Sequence, residues 1–143
     1  MACCNFDEKF DITNNLIKEY NHWNILVRKN HTKLGACIVM TKRHIERFSD
    51  TTEEEIIEFG KIIKDLENSL KQAFNYDKIN WLMLMMKDKH VHFHVMPRYD
   101  EPRDFAGKTW EDLGGTNPLM QKLEQPISQE ILNQIKEEIQ KFL

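Results

Sequence analysis

The feature that most constrains this chain is a stretch in which histidines alternate with apolar residues. It runs from Lys87 to Tyr99 and reads Lys-Asp-Lys-His-Val-His-Phe-His-Val-Met-Pro-Arg-Tyr. A repeat of two, carried by β-branched and aromatic residues, predicts a β-strand. Successive side chains of a strand point to opposite faces, so we expect His90, His92 and His94 on one face and the apolar side chains in a core. Pro97 lacks an amide hydrogen and is expected to end the strand.

Three interpretations of this histidine face are open. The first is a half-buried strand whose polar face is rich in histidine. The second is a metal site, because His-x-His presents two imidazoles to one ion, although the sequence has no Cys-x-x-Cys pair to supply more ligands. The third is nucleophilic catalysis, in which a neutral imidazole attacks phosphorus or a carbonyl carbon while an acceptor holds its other ring nitrogen.

The segment His90 to Met96 resembles the motif of the histidine triad (HIT) superfamily, in which histidines alternate with hydrophobic residues and two further hydrophobics follow. The next residues, Pro97-Arg98, are similar to the continuation in diadenosine polyphosphate hydrolase-like branches and in bacterial HIT family hydrolases. Gly35 to Phe48 also resembles a segment of the family. The resemblance covers residues 10–107.

The resemblance implies an α+β, HIT-like fold. We expect a mostly antiparallel sheet of about five strands, one long helix packed on it and a C-terminal helix. The whole chain, 1–143, would form a single domain in which residues 108–143 are a C-terminal extension. Family members are usually homodimers whose two sheets join, and the resemblance implies the same here.

For function, the resemblance implies a nucleotide hydrolase or transferase that cleaves a nucleoside phosphate or phosphoramidate at the α-phosphorus. His92 would attack phosphorus, and water would hydrolyse the covalent nucleotidyl-histidine to release a nucleoside monophosphate. His90 and His94 would hold phosphate oxygens or orient His92. No cofactor and no metal are required, because one imidazole can serve as nucleophile and then as leaving group. Dinucleoside polyphosphates, nucleoside phosphoramidates and adenylylated amines all remain candidate substrates.

Four further residues are candidates for nucleotide binding. The resemblance places Asn80 and His44 beside the phosphate or base, and Arg98 near the end of the histidine strand. Arg28 stands where the family commonly has a ribose-binding Asp or Asn, which leaves the sugar specificity open. Residues 28–47 carry six Lys or Arg against one acid, Glu46, which favours a phosphate partner.

Two other functions stay open. Many family hydrolases have an Ala-Gly-Gln-Ser/Thr-Val segment before the first histidine, and residues 86–89 here read Met-Lys-Asp-Lys. A nucleotide-binding or regulatory protein with little turnover is therefore one alternative. A metal-dependent hydrolase that uses the three histidines as ligands is the other.

Hydrophobic patterns predict the remaining elements. Strands are expected at residues 22–28, 36–40 and 78–86, the last one central because its apolar run is continuous. A helix is expected from Thr51 to Phe74, with Thr52 and Glu55 as a capping box, and a final helix after Ser128. Residues 1–20 are expected to form an edge strand or short helix.

Composition limits the partners and the compartment. The net charge of −3 does not favour nucleic acid, and no apolar run is long enough to cross a membrane. The resemblance to the histidine triad superfamily implies a small nucleotide as the partner. Three cysteines, two of them adjacent, cannot all pair within the chain, so a reducing cytoplasm is the expected location.

Overall fold

The computed structural model describes residues 6–113, 115, 123 and 125–143. The helices and strands follow in chain order: α1 (Phe6–Phe10), α2 (Ile12–Asn15), β1 (Leu16–Glu19), β2 (Trp23–Val27), β3 (Cys37–Thr41), a 3₁₀ turn (Phe48–Asp50), α3 (Glu53–Phe74), β4 (Lys78–Leu82), β5 (His92–Arg98), β6 (Arg103–Phe105), β7 (Lys108–Trp110) and α4 (Gln129–Gln140). The fold is α+β, as the sequence predicts.

Five strands form one sheet in the order β1-β2-β3-β5-β4, and every neighbouring pair is antiparallel. A separate hairpin contains β6 and β7. No helix among the described residues is long and apolar enough to cross a membrane.

Helix α3 begins with the predicted capping box: the Thr52 hydroxyl accepts from the Glu55 amide, and the Glu55 carboxylate accepts from the Thr52 amide. Helix α4 begins at the predicted cap, where the Ser128 hydroxyl accepts from the Ile131 amide. Both helices pack on one face of the sheet and enclose the main core. Its fully buried members include Trp23, Ile25, Val39, Ile62, Leu66, Leu70, Val95, Leu132 and Ile135.

The opposite face of the sheet carries the histidines. Beside them lies a second apolar cluster of Phe10, Leu26, Ile38 and Met40, contributed by α1, β2 and β3. The register explains this arrangement, because Met40 lies opposite His92 and Ile38 lies opposite His94. The N-terminal segment, expected to form an edge strand or short helix, contains the short helices α1 and α2 and the edge strand β1.

Two predictions about strands are wrong. The strand expected at residues 78–86 ends at Leu82 and lies at the edge of the sheet, since β5 is the one strand that β4 pairs with among the described residues. Two of the apolar residues that follow it are not core, since Leu84 is 50% exposed and Met86 is 83% exposed. Met83 and Met85 are partly buried and pack against the main core. Pro97 also does not end its strand, because β5 continues to Arg98. Pairing with β3 has already stopped at Val95, so the missing amide hydrogen falls beyond that ladder.

Candidate functional site

Strand β5 is held in place by the side chains on its apolar face. The Phe93 ring stacks on Phe59 of α3, with 4.8 Å between ring centroids, and also contacts Trp23 and Trp81. Because neighbouring residues of a strand face opposite ways, this packing turns His92 and His94 away from the main core. The rings of His92 and His94 meet edge to face, with 5.1 Å between their centroids.

His92 has a defined tautomer. Its Nδ1 lies 2.6 Å from the main-chain carbonyl oxygen of His90. A carbonyl oxygen can only accept, so Nδ1 carries the hydrogen, and the lone pair of the neutral ring is on Nε2. Burial lowers the pKa of His92, which keeps the ring neutral near pH 7. A neutral imidazole with a basic Nε2 is the form needed for nucleophilic attack.

His90 does not share the position of the other two histidines. It precedes β5, is 2% exposed, and its Nε2 donates to the Thr41 carbonyl oxygen at 2.6 Å. Its Nδ1 lies 3.2 Å from Nδ1 of His44, whose Nε2 lies 3.3 Å from the Glu46 carboxylate. His44 and His90 therefore form a pair behind His92, and the carbonyl of His90 is the group that orients His92.

His94 is neutral and its Nδ1 lacks a hydrogen-bond partner. That atom is buried. Burial, and then the nearby charge of Arg28, lower the pKa of His94 to about 3. A buried polar atom without a partner is costly in a folded protein.

An open cleft of about 920 Å³ lies over His92 and His94. Its described lining also includes Lys9 and Phe10 of α1. The other lining residues come from the stretch after β2 (Arg28, Lys29 and Asn30), the stretch after β4 (Leu84, Met85, Met86, Lys87 and Asp88) and the segment before α4 (Leu123 and Pro126). Lys9 and Asp88 form an ion pair at 2.8 Å, which joins α1 to the stretch before β5.

Of the seven predicted site residues, the structure brings Arg28, His92 and His94 together in the cleft. His90 and His44 lie next to them as described above. The other two, Asn80 and Arg98, bond to each other, with 3.1 Å between Asn80 Oδ1 and Arg98 Nη1. Neither is among the cleft-lining residues, so their contact with a nucleotide stays a prediction.

Arg98 belongs to a buried charge network that the sequence pattern does not reveal. Its guanidinium donates to both oxygens of Asp112, at 2.8 and 3.1 Å. Asp112 also pairs with Lys33 Nζ at 2.9 Å, and the Lys33 side chain is fully buried. Asp112 lies in an irregular stretch after β7, where no periodicity or motif marks it.

Within the described ranges, no group of three or more His, Cys, Asp or Glu side chains is arranged to hold a metal ion. His92 and His94 meet edge to face, while His90 turns its Nε2 to Thr41.

Comparison with known proteins identifies the family. Residues 9–101 match the model of the HIT domain. An uncharacterized HIT-like protein from Methanocaldococcus jannaschii is 29% identical over 94 residues, which cover 63% of this chain and 73% of that protein.

Solved structures show the same fold. A histidine triad protein from Marinobacter aquaeolei superposes with a TM-score of 0.72 at 18% identity, covering 93% of this chain and 92% of that one. A hypothetical histidine triad nucleotide-binding protein from Sulfolobus tokodaii gives 0.67 at 18% identity, with coverage of 94% and 89%. A zinc-bound histidine triad family protein from Mycobacterium smegmatis gives 0.61 at 15% identity, with coverage of 88% and 84%.

Proposed function

Since the chain belongs to the HIT domain family, we propose that it is a nucleotidyl hydrolase or transferase that forms a covalent intermediate on His92. The observation that carries this proposal is the 2.6 Å contact between His92 Nδ1 and the His90 carbonyl oxygen. It leaves the lone pair on Nε2 of a ring that lines the cleft.

The reaction has two steps. Nε2 of His92 attacks the α-phosphorus of a nucleoside phosphate or phosphoramidate, a nitrogen–phosphorus bond forms, and the bond from phosphorus to the leaving oxygen or nitrogen breaks. Water then attacks the same phosphorus, the electron pair returns to Nε2, and a nucleoside monophosphate leaves. Positive charge on His92 develops next to the His90 carbonyl dipole, which stabilises it.

Other residues hold the substrate. His94 lines the cleft beside His92, and its neutral ring carries one N–H that can donate to a phosphate oxygen. Arg28 supplies a permanent positive charge on the same face. His44 orients His90 and so acts on His92 indirectly.

Product release tests the proposal. Wild type and His92→Asn are assayed for nucleoside monophosphate from diadenosine polyphosphates and from an adenosine phosphoramidate, with and without a chelator. We expect turnover with the chelator present, loss of turnover in His92→Asn, and a nucleotidyl adduct on His92 by mass spectrometry. Turnover that disappears with the chelator and returns with zinc would instead establish the metal-dependent hydrolase.

The absence of turnover would favour the binding protein, provided that nucleoside monophosphate still binds the wild type. The stretch from Met86 to Lys89, which replaces the usual small and polar segment of the family, is the reason to keep this candidate. His92→Asn would then bind the nucleotide as the wild type does.

We also propose a homodimer formed through the edge strand β4, acting in a reducing cytoplasm. Strand β4 bonds to β5 on one side and lies at the end of the sheet on the other, so a second copy can continue the ladder. Sedimentation at several concentrations tests the dimer. The one described cysteine, Cys37, is buried with a free thiol, while Cys3 and Cys4 lie outside the described residues.

A further inference from the structure

The two walls of the cleft differ in chemistry. Arg28 follows the last residue of β2, and its amide donates to the Ala36 carbonyl oxygen. This bond continues the register in which Val27 lies opposite Cys37. Leu84, Met85 and Met86 follow β4, on the other side of β5. His92 and His94 thus lie between a basic wall and an apolar wall.

The cations of the cleft exceed what one reacting phosphate requires. The described lining contains Lys9, Arg28, Lys29 and Lys87 but one acid, Asp88, which pairs with Lys9. Among the described residues, no carboxylate forms an ion pair with the other three cations. A phosphodiester or phosphoramidate centre carries about one negative charge, so the excess favours a ligand with a further anionic group.

Arg28 is the cation best placed to bind that group. Its Nη1 donates to the Asn30 carbonyl oxygen at 2.6 Å, which fixes one edge of the guanidinium. Its Nε is buried and has no hydrogen-bond partner. The planar guanidinium of a desolvated arginine without a carboxylate gains most from an oxyanion that accepts two parallel hydrogen bonds, such as phosphate.

The position of Arg28 separates this group from the reacting phosphorus. Arg28 is two strands away from β5 and is aligned with Met96, four residues along from His92. With strands about 4.8 Å apart and a rise of about 3.3 Å per residue, its Cα lies about 12 Å from that of His94 and about 16 Å from that of His92. Because the Arg28 guanidinium is also bonded to the Asn30 carbonyl, we expect it and Nε2 of His92 to contact different parts of a bound ligand.

We propose that Arg28, assisted by Lys29, binds a second phosphate of the substrate, distinct from the one that His92 attacks. This inference rests on the proposed function, which places a nucleotide in the cleft. The second phosphate belongs either to a ribose hydroxyl or to a polyphosphate chain, and both present the same oxyanion to the guanidinium.

Binding of three adenine nucleotides tests the proposal without turnover. Calorimetry with AMP, adenosine 3′,5′-bisphosphate and ADP holds the base and the sugar constant and varies the second phosphate. We expect the wild type to bind one of the two bisphosphorylated ligands about 10- to 100-fold more tightly than AMP, as for a charge-assisted hydrogen bond. This gain in affinity over AMP assigns the second phosphate to the ribose if it is found with the 3′,5′-bisphosphate. It assigns the second phosphate to the polyphosphate chain if it is found with ADP.

Variants identify the residue responsible. Arg28→Gln should weaken binding of the preferred bisphosphorylated ligand far more than binding of AMP, and Arg28→Lys should keep part of the difference. Lys29→Gln, at an exposed position, should reduce the gain less. Lys64→Gln, which removes a charge from an exposed site on α3 outside the cleft, is the matched control and should change nothing.

Two results would overturn the proposal: equal binding of all three nucleotides by the wild type, or an equal loss for all three in Arg28→Gln. These results are separable from failure of the proposed function. A selective gain at Arg28 without product release from the substrate panel would leave this inference standing and overturn the hydrolase. Product release without tighter binding of either bisphosphorylated ligand would support the hydrolase and overturn this inference.

Discussion

His92 Nδ1 donates to the main-chain carbonyl oxygen of His90 at 2.6 Å. His92 is the first residue of β5, and His90 lies two positions before it. This contact sets the tautomer of the proposed nucleophile through the backbone. The side chain of His90 contributes indirectly, because its Nε2 bond to the Thr41 carbonyl oxygen fixes the backbone that carries the acceptor.

The rate should stay constant as the pH falls from 8 to 6.5. Burial lowers the pKa of His92 below the usual value for histidine, so the reactive neutral form persists until the solution is more acidic. The measurement is kcat/KM between pH 4.5 and 8 for a phosphoramidate. An acidic limb centred at or above pH 6.5 would show that protonation of His92 is not suppressed.

Asp112→Asn should be among the most destabilising single substitutions in the chain. Asp112 pairs with Lys33, which is fully buried, and with Arg98, which is 10% exposed, so the substitution removes a negative charge that both buried cations contact. We expect a loss of about 3–5 kcal/mol in the free energy of unfolding, measured by urea denaturation.

Asp50→Asn is the matched control for Asp112. Asp50 pairs with Arg47 at 3.2 Å, and both side chains are exposed. Its loss should cost less than about 1 kcal/mol. Similar losses for both aspartates would mean that the buried network contributes no more than a surface pair.

Gly35→Ala and Gly60→Ala should have opposite effects on stability. Gly35 has φ +87, and an added Cβ would lie 2.9 Å from Phe74 Cδ2 and 3.2 Å from Leu70 Cδ2. We expect a loss of about 2–3 kcal/mol, from the left-handed backbone and the overlap with two buried side chains. Gly60 lies inside α3 with no atom within 4 Å of the added Cβ, so alanine should stabilise by about 0.5–1 kcal/mol. Thermal unfolding of both variants tests the pair, and a stable Gly35→Ala would contradict the packing described for this loop.

Stability should fall as the solution is acidified from pH 6.5 to 4. His31 is fully buried, donates from Nδ1 to the Arg28 carbonyl oxygen and accepts from the Gly35 amide at Nε2. Burial lowers its pKa to about 4. Because the unfolded chain takes up the proton at higher pH than the folded one, stability is complete above about pH 6.5 and decreases toward pH 4, by on the order of 3 kcal/mol from this residue.

The slope of stability against pH measures the contribution of His31. His31→Gln keeps a donor and an acceptor but does not titrate, so the slope between pH 6.5 and 4 should be smaller than in the wild type, whatever the stability at pH 7. A remaining slope is expected from His94, whose pKa is also lowered by burial. An unchanged slope in His31→Gln would show that His31 is not held neutral in the fold.

Local patterns in the sequence were sufficient for the main elements. The alternation at His90 to Val95 predicts the strand and the face on which His92 and His94 lie. The Thr52 and Glu55 spacing predicts the start of α3, and Ser128 predicts the start of α4. These features depend on residues a few positions apart, so they can be predicted without knowing any tertiary contact.

Tertiary structure decided what surrounds the histidines. The apolar run that begins at Trp81 has the pattern of a central strand. Its first two residues end the edge strand β4, and residues 84–86 form one wall of the cleft, because periodicity does not encode the order of strands in a sheet. The ion pairs Lys9–Asp88 and Lys33–Asp112 join residues 79 positions apart in each case. Packing of the whole fold brings such partners together. For the buried Lys33–Asp112 pair this is a requirement, because a charge is buried only where the folded chain brings an opposite charge to it.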